Sequence, residues 1–346
     1  MTETVRLSQP VDYIAIVPYL FGYHPTMSLV VLTFHAQALI TSVRHDLPSS
    51  QDEAIDVIAH CLDLLTHDAA SELAVIGYGP AALVTPVLVG LREAIEPTGV
   101  LLAQMLRCAD NRYWPHPDTG PAEGVPYDIT TSQAAVGAVV AGLSALPDRD
   151  AFAALLQPLE GADRDAVREA TRVARQQATA LGTAAPRFWY QEGLRCVHAA
   201  FARHQAGEPI PAGEVAWLGL LLTAILVRDA ASLMVGTYPA AAHIALLSEV
   251  ARRVEPGYVA APATLLAIAA YGSGAGTLAR IAVDRARADN PSYSMAYLLD
   301  YALSHGVPPS AVHQMHATMT AEELETQLIT CPTAALPRLP APVEGR

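Results

Sequence analysis

Apolar positions change their spacing along this chain, and the changes mark its elements. Residues 12–21 are apolar almost throughout and stop at Gly22, which predicts a short helix closed by a glycine cap. Residues 28–35 and 38–43 are β-branched runs around a tight connection, which predicts a β-hairpin. Pro48 with Ser49-Ser50 opens a helix reaching about His67, followed by a strand over 72–77, a helix over 80–96 and a strand over 100–107. Two strands separated by one helix point to a βαβ crossover, so residues 1–125 are expected to form an α/β domain: a hairpin plus βαβ, a small sheet with helices on it.

Residues 115–131 hold Pro115, Pro117, Gly120, Pro121, Gly124 and Pro126 and read as a long loop or linker. Beyond residue 131 the apolar spacing is helical, punctuated by glycine and proline, and predicts roughly eight to ten helices. Residues 126–335 are expected to form an all-α domain of helical hairpins, with 336–346 a disordered tail. Ala279, Val283, Ala286 and Pro291 match the second-helix spacing of a tetratricopeptide repeat, but the first-helix pattern and a second copy at the ~34-residue offset are missing. The expectation is a tetratricopeptide-like helix pair crossing closely over small alanines, with stacked hairpins offering a concave surface to a partner.

Composition narrows the field. At 346 residues the chain is long enough for about two domains. It is 52% hydrophobic and 16% charged, the opposite of a disordered balance. The mean hydropathy is +0.27. The uncharged apolar runs 134–146 and 215–227 fall short of the ~18 to 20 residues that cross a bilayer and are expected to be buried core helices. The opening MTETVRLSQP shows no export signal, so a cytoplasmic location is expected. Cys61, Cys108, Cys196 and Cys331 are scattered and read as reduced core thiols. All 21 basic residues are arginine. Without lysine there is no Walker P-loop, no protein-kinase ion pair, no pyridoxal Schiff base and no lysine-based aldolase chemistry. The net charge of −13, and the mixing of Asp165 and Glu169 into the basic stretch 164–175, argue against nucleic acid as a ligand.

The chemistry-bearing residues gather at predicted element ends. His24 and Ser28 enter the first strand while Arg44, His45 and Asp46 leave the second, so a hairpin brings them side by side. With Asp12 they can hold an anion or support acid–base chemistry. Equally, Asp12 can cap its helix, His24 can shape a turn and Arg44 can pair with Asp46 or Asp12. Gly77-Tyr78-Gly79-Pro80 forms a strand-to-helix turn of the kind that exposes amides to anions, although proline at the first helical position is ordinary architecture. In Asp110-Asn111-Arg112-Tyr113-Trp114, Arg112 can clamp a carboxylate or phosphate, or the aromatics can plug the space under the Pro-rich loop. His60, Asp63 and His67 fall on the predicted solvent side of their helix, and His313-x-x-His316 lacks a third ligand, so neither is read as a metal site. No G-x-S-x-G elbow is present. Arg228-Asp229, after an apolar run, is expected to be a buried mutual pair that fixes helix packing.

Asp12, Pro18-Tyr19, Gly22 to Pro25, Ser28-Leu29-Val30 and Arg44 with Asp46-Leu47-Pro48 resemble the opening signature of the actinobacterial domain of unknown function 4192 family. The resemblance extends to the arginine and aromatics at 112–114, to Arg228-Asp229, and to the P-A-T-L-L-A, D-N-P-S-Y-S-M-A and G-V-P-P runs between 256 and 310. It covers most of the chain and implies no particular activity.

The combined expectation is a non-enzymatic, cytoplasmic binding or regulatory protein with a protein partner or self-association, no cofactor, no metal, no nucleic acid and no membrane. The alternative is a hydrolase or transferase acting on an anionic small molecule at the α/β domain. Its ligand-binding candidates are Asp12, His24, Ser28, Arg44, Asp46, Tyr78 and Arg112. A third reading is a homo-oligomeric structural protein. Convergence of the candidates on one open pocket favours the enzyme, and dispersal into mutual pairs favours the binding protein.

Overall fold

The computed structural model describes residues 6–116, 120–182, 186–234, 238–305, 307 and 320–340. Two compact units divide the chain, Met1–Phe152 and Ala153–Arg346.

The first unit begins with α1 (Pro10–Phe21), which the sequence closes at both ends: Gln9 and Asp12 form a reciprocal capping box, Pro10 supplies the first helical residue, and Gly22 takes a left-handed φ of 80°. The hairpin of β1 (Ser28–His35) and β2 (Ala38–Asp46) follows. Its two turn residues, Ala36 and Gln37, carry φ of 48° and 67°, a mirror-image turn that suits strand twist but strains residues with a Cβ. Strand β2 runs to Asp46, three residues past the expected end, and its register skips Ile40 in a bulge where Thr33 faces Thr41 and Phe34 faces Leu39. The Thr33 hydroxyl accepts the Thr41 amide there at 3.2 Å and donates to Asp68 at 2.6 Å. Ser50 caps α2 (Gln51–His67) by accepting from the Glu53 amide, as Ser49-Ser50 foretold.

Strand β3 (Glu72–Tyr78), α3 (Ala81–Ile95) and β4 (Leu101–Ala109) make the expected βαβ unit, with β3 and β4 parallel. Two further strands were not expected: β5 (Arg112–Pro115), which runs up to the segment expected to be loop, and β6 (Val125–Pro126), which lies inside it. Asp110 and Asn111, with φ of 50° and 56°, form a second tight turn that folds β5 back onto β4. The result is one mixed sheet in the order β2-β1-β3-β4-β5-β6. Side chains alternate across it. Leu29, Val31, Leu73, Val75 and Met105 meet α2 and α3 on one face. Val30, Leu32, Ala74, Ile76 and Leu106 meet α1 on the other.

The boundary expected at residue 125 falls instead after Phe152, because the intervening segment is tied to α1. Helix α4 (Gln133–Val140) lays Ala134 and Ala138 on Ile16, Ser132 donates to Asp12, and the Leu146 amide donates to the Gly22 carbonyl at 2.8 Å. Phe152, on α5 (Arg149–Ala154), packs so tightly on Gly22 that a Cβ there would lie 2.4 Å from its ring. Only one side of the run 134–146 is buried: Val136, Val139, Val140 and Leu143 are exposed, which corrects the expectation of a core helix.

The second unit contains α6 (Ala162–Leu181), α7 (Pro186–Gln205), α8 (Ala212–Leu221), α9 (Ile225–Leu233), α10 (Ala240–Arg253), α11 (Ala260–Gly272), α12 (Gly276–Asp289), α13 (Ser294–Ser304) and a helix at Ala321–Thr330. Among the described residues no strand follows β6. Every residue of α11 from Ala260 to Tyr271 is buried, so this helix is the centre of the core. Ser273 to Ala275 turn it into α12, whose Ala279, Ala282, Val283 and Ala286 are all fully buried; the repeat-like spacing marks this close-packed hairpin. The run 215–227 is buried as expected, but as two helices, α8 and α9, bent by 105° rather than one. At the bend the Thr223 amide and hydroxyl both donate to the Leu220 carbonyl. No single helix among the described residues is long and apolar enough to cross a membrane.

The tail expected to be disordered from residue 336 is held as far as Pro340. The Arg338 amide donates to Thr223 Oγ1 at 2.8 Å, and the Pro340 carbonyl accepts from Arg175 at 2.6 Å.

Candidate functional site

One edge of the sheet collects most of the candidates. Across it the pairing runs Asp46, Ser28, Tyr78, Cys108, Tyr113, Val125. These are the carboxyl ends of the parallel strands β3 and β4, where α/β sheets hold ligands. Parity then separates the candidates. Ser28, Arg44, Asp46 and Tyr78 share the α1 face, whereas Arg112, two residues from Trp114 and paired with Ala109, lies on the α2–α3 face. Arg44 and Arg112 are also four strand spacings apart, about 19 Å. The candidates do not converge on one cleft.

Each is also engaged locally. Asp12 Oδ2 accepts from the Ser8 and Gln9 amides at 3.1 and 3.0 Å, and Oδ1 accepts from Ser132 Oγ at 2.9 Å. Partial burial opposes its ionisation, but these hydrogen bonds outweigh that and hold the carboxyl below the usual range. Asp12 is thus a helix cap that also anchors the start of α4. Arg44 Nε donates to Ser28 Oγ at 2.8 Å, its Nη2 reaches Asp46 Oδ1 at 2.6 Å, and Ser28 passes its own proton to the Thr26 carbonyl. Arg44 therefore has the carboxylate partner expected of it, but Asp46 is 84% exposed. The residue before Ser28, Met27, holds a left-handed φ of 47° and accepts the Leu47 amide at 3.0 Å.

Tyr78 turns inward. Its hydroxyl is buried with no hydrogen-bond partner among the described residues, and burial, with Cys108 and Tyr127 nearby, raises its pKa well above the usual value. His24 is half-buried and its amide bonds to the Leu146 carbonyl. Arg112 Nη1 donates to the Glu123 and Gly124 carbonyls at 3.2 and 3.0 Å, pinning the Pro-rich loop. The Gly77-to-Pro80 turn is filled by protein: a Cβ on Gly77 would sit 2.3 Å from Val84, and one on Gly79 would sit 2.7 Å from Leu47. Its glycines serve side-chain packing.

His60 does not share the solvent side with Asp63 and His67. It turns edge-on to His45, with ring centroids 4.9 Å apart. Burial, then the neighbouring His60 and Arg44, lower the His45 pKa to about 4. Among the described residues no group of three His, Cys, Asp or Glu is placed to hold a metal; His313 and His316 lie outside them.

In the helical unit, Arg228 and Asp229 form the expected buried pair, with Nε and Nη2 on Asp229 Oδ1 at 2.8 and 2.5 Å and Nη1 on the Tyr293 hydroxyl at 3.2 Å. Asp289 was not singled out in the sequence, yet it caps α11 by accepting from Gly257, Val259 and Ala260. The D-N-P-S-Y run thus joins three helices. The sequence reading also passed over Arg107, whose guanidinium lies 3.5 Å from the Trp114 ring centroid. Counting outward from a two-residue Asp110-Asn111 turn pairs 107 with 114, so this contact was within reach.

The fold defines a two-unit protein, a six-stranded mixed α/β sheet followed by a helical unit. Residues 10–310 match the family model described as Domain of unknown function (DUF4192), and the chain belongs to that family. Searches of curated proteins and of solved structures each gave no match.

Proposed function

We propose that this chain is a non-enzymatic binding or regulatory protein of the cytoplasm, of actinobacterial origin, that works through a protein partner or through self-association. The observation that carries this reading is the engagement of Arg44 with Asp46 and Ser28. The cation that an anionic substrate would need on the α1 face is already matched. The exposed Val136, Val139 and Val140 on one side of α4, with Leu143 just beyond its end, support contact with another protein. The acidic net charge supports a partner other than nucleic acid. The test incubates the full chain with a panel of phosphate and carboxylate esters, followed by mass spectrometry. The reading expects no turnover above buffer. Turnover abolished by Arg44→Gln or His24→Ala, at unchanged melting temperature, would install a hydrolase or transferase at this edge.

A further inference from the structure

The opposite face of the same sheet edge is furnished differently. Register places Arg107 across from Trp114 and Ala109 across from Arg112, so Arg107, Arg112 and Trp114 point to one side. The indole is fixed from several directions. Its Nε1 donates to the Ala122 carbonyl at 3.0 Å, and the Gly124 backbone comes so close that a Cβ there would lie 2.5 Å from Cε2. Arg107 stacks on this platform with its guanidinium carbon 3.5 Å from the ring centroid. Stacking occupies the flat of the guanidinium and leaves the N–H edge, and no hydrogen bond or ion pair joins Arg107 to any described residue. Arg112 commits only Nη1, to two loop carbonyls.

Many other arginines of the chain are matched differently. With 34 acidic residues to 21 basic ones, carboxylates are in excess. Elsewhere many arginines find them, as at Arg44, Arg195, Arg228, Arg253 and Arg280, whereas Arg252 and Arg285 bond to carbonyls instead. Arg107 and Arg112 lie on one face of adjacent strands, and among the described residues no carboxylate pairs with either; like charges so placed repel each other, and a bound anion relieves that repulsion. A carboxylate presents two oxygens and satisfies one planar fork; a phosphoryl group presents three and carries up to two charges, matching two forks side by side.

We propose that Arg107, Arg112 and Trp114 form a binding site for the phosphoryl group of a small molecule. The site goes beyond the reading of the chain as a binding protein and does not depend on whether the chain is catalytic.

Calorimetric titration of the full chain at low salt tests it, with pyrophosphate and inorganic phosphate as probes and acetate as the singly charged control. The expected result is saturable binding in the order pyrophosphate, phosphate, acetate. Arg107→Gln should weaken pyrophosphate about tenfold or more. Arg107→Lys, which keeps the charge but loses the fork, should fall between Arg107→Gln and the wild type. Arg195→Gln, which loses an exposed arginine already matched to Glu192, should leave binding unchanged. Should Arg107→Gln lower the melting temperature, Arg107→Lys still decides. No saturable binding at about 10 mM pyrophosphate overturns the site. So does wild-type affinity in both Arg107 variants, or binding of a single-stranded oligonucleotide while pyrophosphate does not bind.

Discussion

Arg44–Asp46 at the sheet edge and Arg228–Asp229 in the helical core are the same chemical pair in two environments. The sheet-edge aspartate is 84% exposed and its arginine 17%; in the helical unit the values are 13% and 9%. Water screens the first pair, and its loss strands no charge in an apolar setting. The second is enclosed, so removing one partner leaves the other charged and buried. The apolar residues Ile40, Val43, Leu47 and Pro48 that flank Arg44 in the sequence do not make its pair a buried one. The flanking residues of an edge strand do not say which side of it meets water.

The largest expected effect follows from that contrast. Asp229→Ala should lower stability by about 3 to 5 kcal/mol in urea unfolding, because Arg228 is left with only the Tyr293 hydroxyl. A loss below about 1 kcal/mol would put Arg228 in contact with water and erase the distinction.

Acid should weaken the sheet unit next. His45 has a pKa of about 4 in the fold against 6.5 as its ordinary value. Between those values the unfolded chain binds the extra proton, so stability is full above pH 6.5 and falls as the pH drops toward 4. The fall from this one group should be on the order of 3 kcal/mol. His45→Phe should flatten the pH dependence over that window. An unchanged slope would show that His45 is solvated in the fold.

Arg44→Ala should cost about 1 kcal/mol, from the screened pair and the hydrogen bond to Ser28. A loss of 3 kcal/mol or more would make the sheet-edge pair equivalent to the buried one. The smallest effect has the opposite sign. Replacing Ala36-Gln37 by Asn-Gly should stabilise the hairpin by about 1 kcal/mol, since both residues now hold left-handed backbones. A lower melting temperature would mean that the turn makes contacts beyond its own backbone.

Local signals in the sequence located the hairpin, the βαβ crossover and the helix caps at Gly22 and Ser50, because period-2 alternation and capping residues act over a few positions. They missed β5 and β6, strands of four and two residues, although Asp110-Asn111 is the kind of dipeptide that makes a tight hairpin. The bend between α8 and α9 carries neither glycine nor proline, and composition alone shows one apolar run there. The valines of α4 look like core by type, but only the packing on α1 decides which side is covered. Arg44 and Asp46 were legible as partners from their i, i+2 spacing on a strand. That Arg112 lies on the other face from them was not, because parity across five strands depends on every register between.

The most direct test of the account is a double-mutant cycle at Arg228 and Asp229. If the pair is buried and its stability effect comes from stranding a charge, Asp229→Leu alone should lose about 3 to 5 kcal/mol, and adding Arg228→Met should recover most of that loss. A double variant as unstable as Asp229→Leu, or a single variant as stable as the wild type, would contradict it.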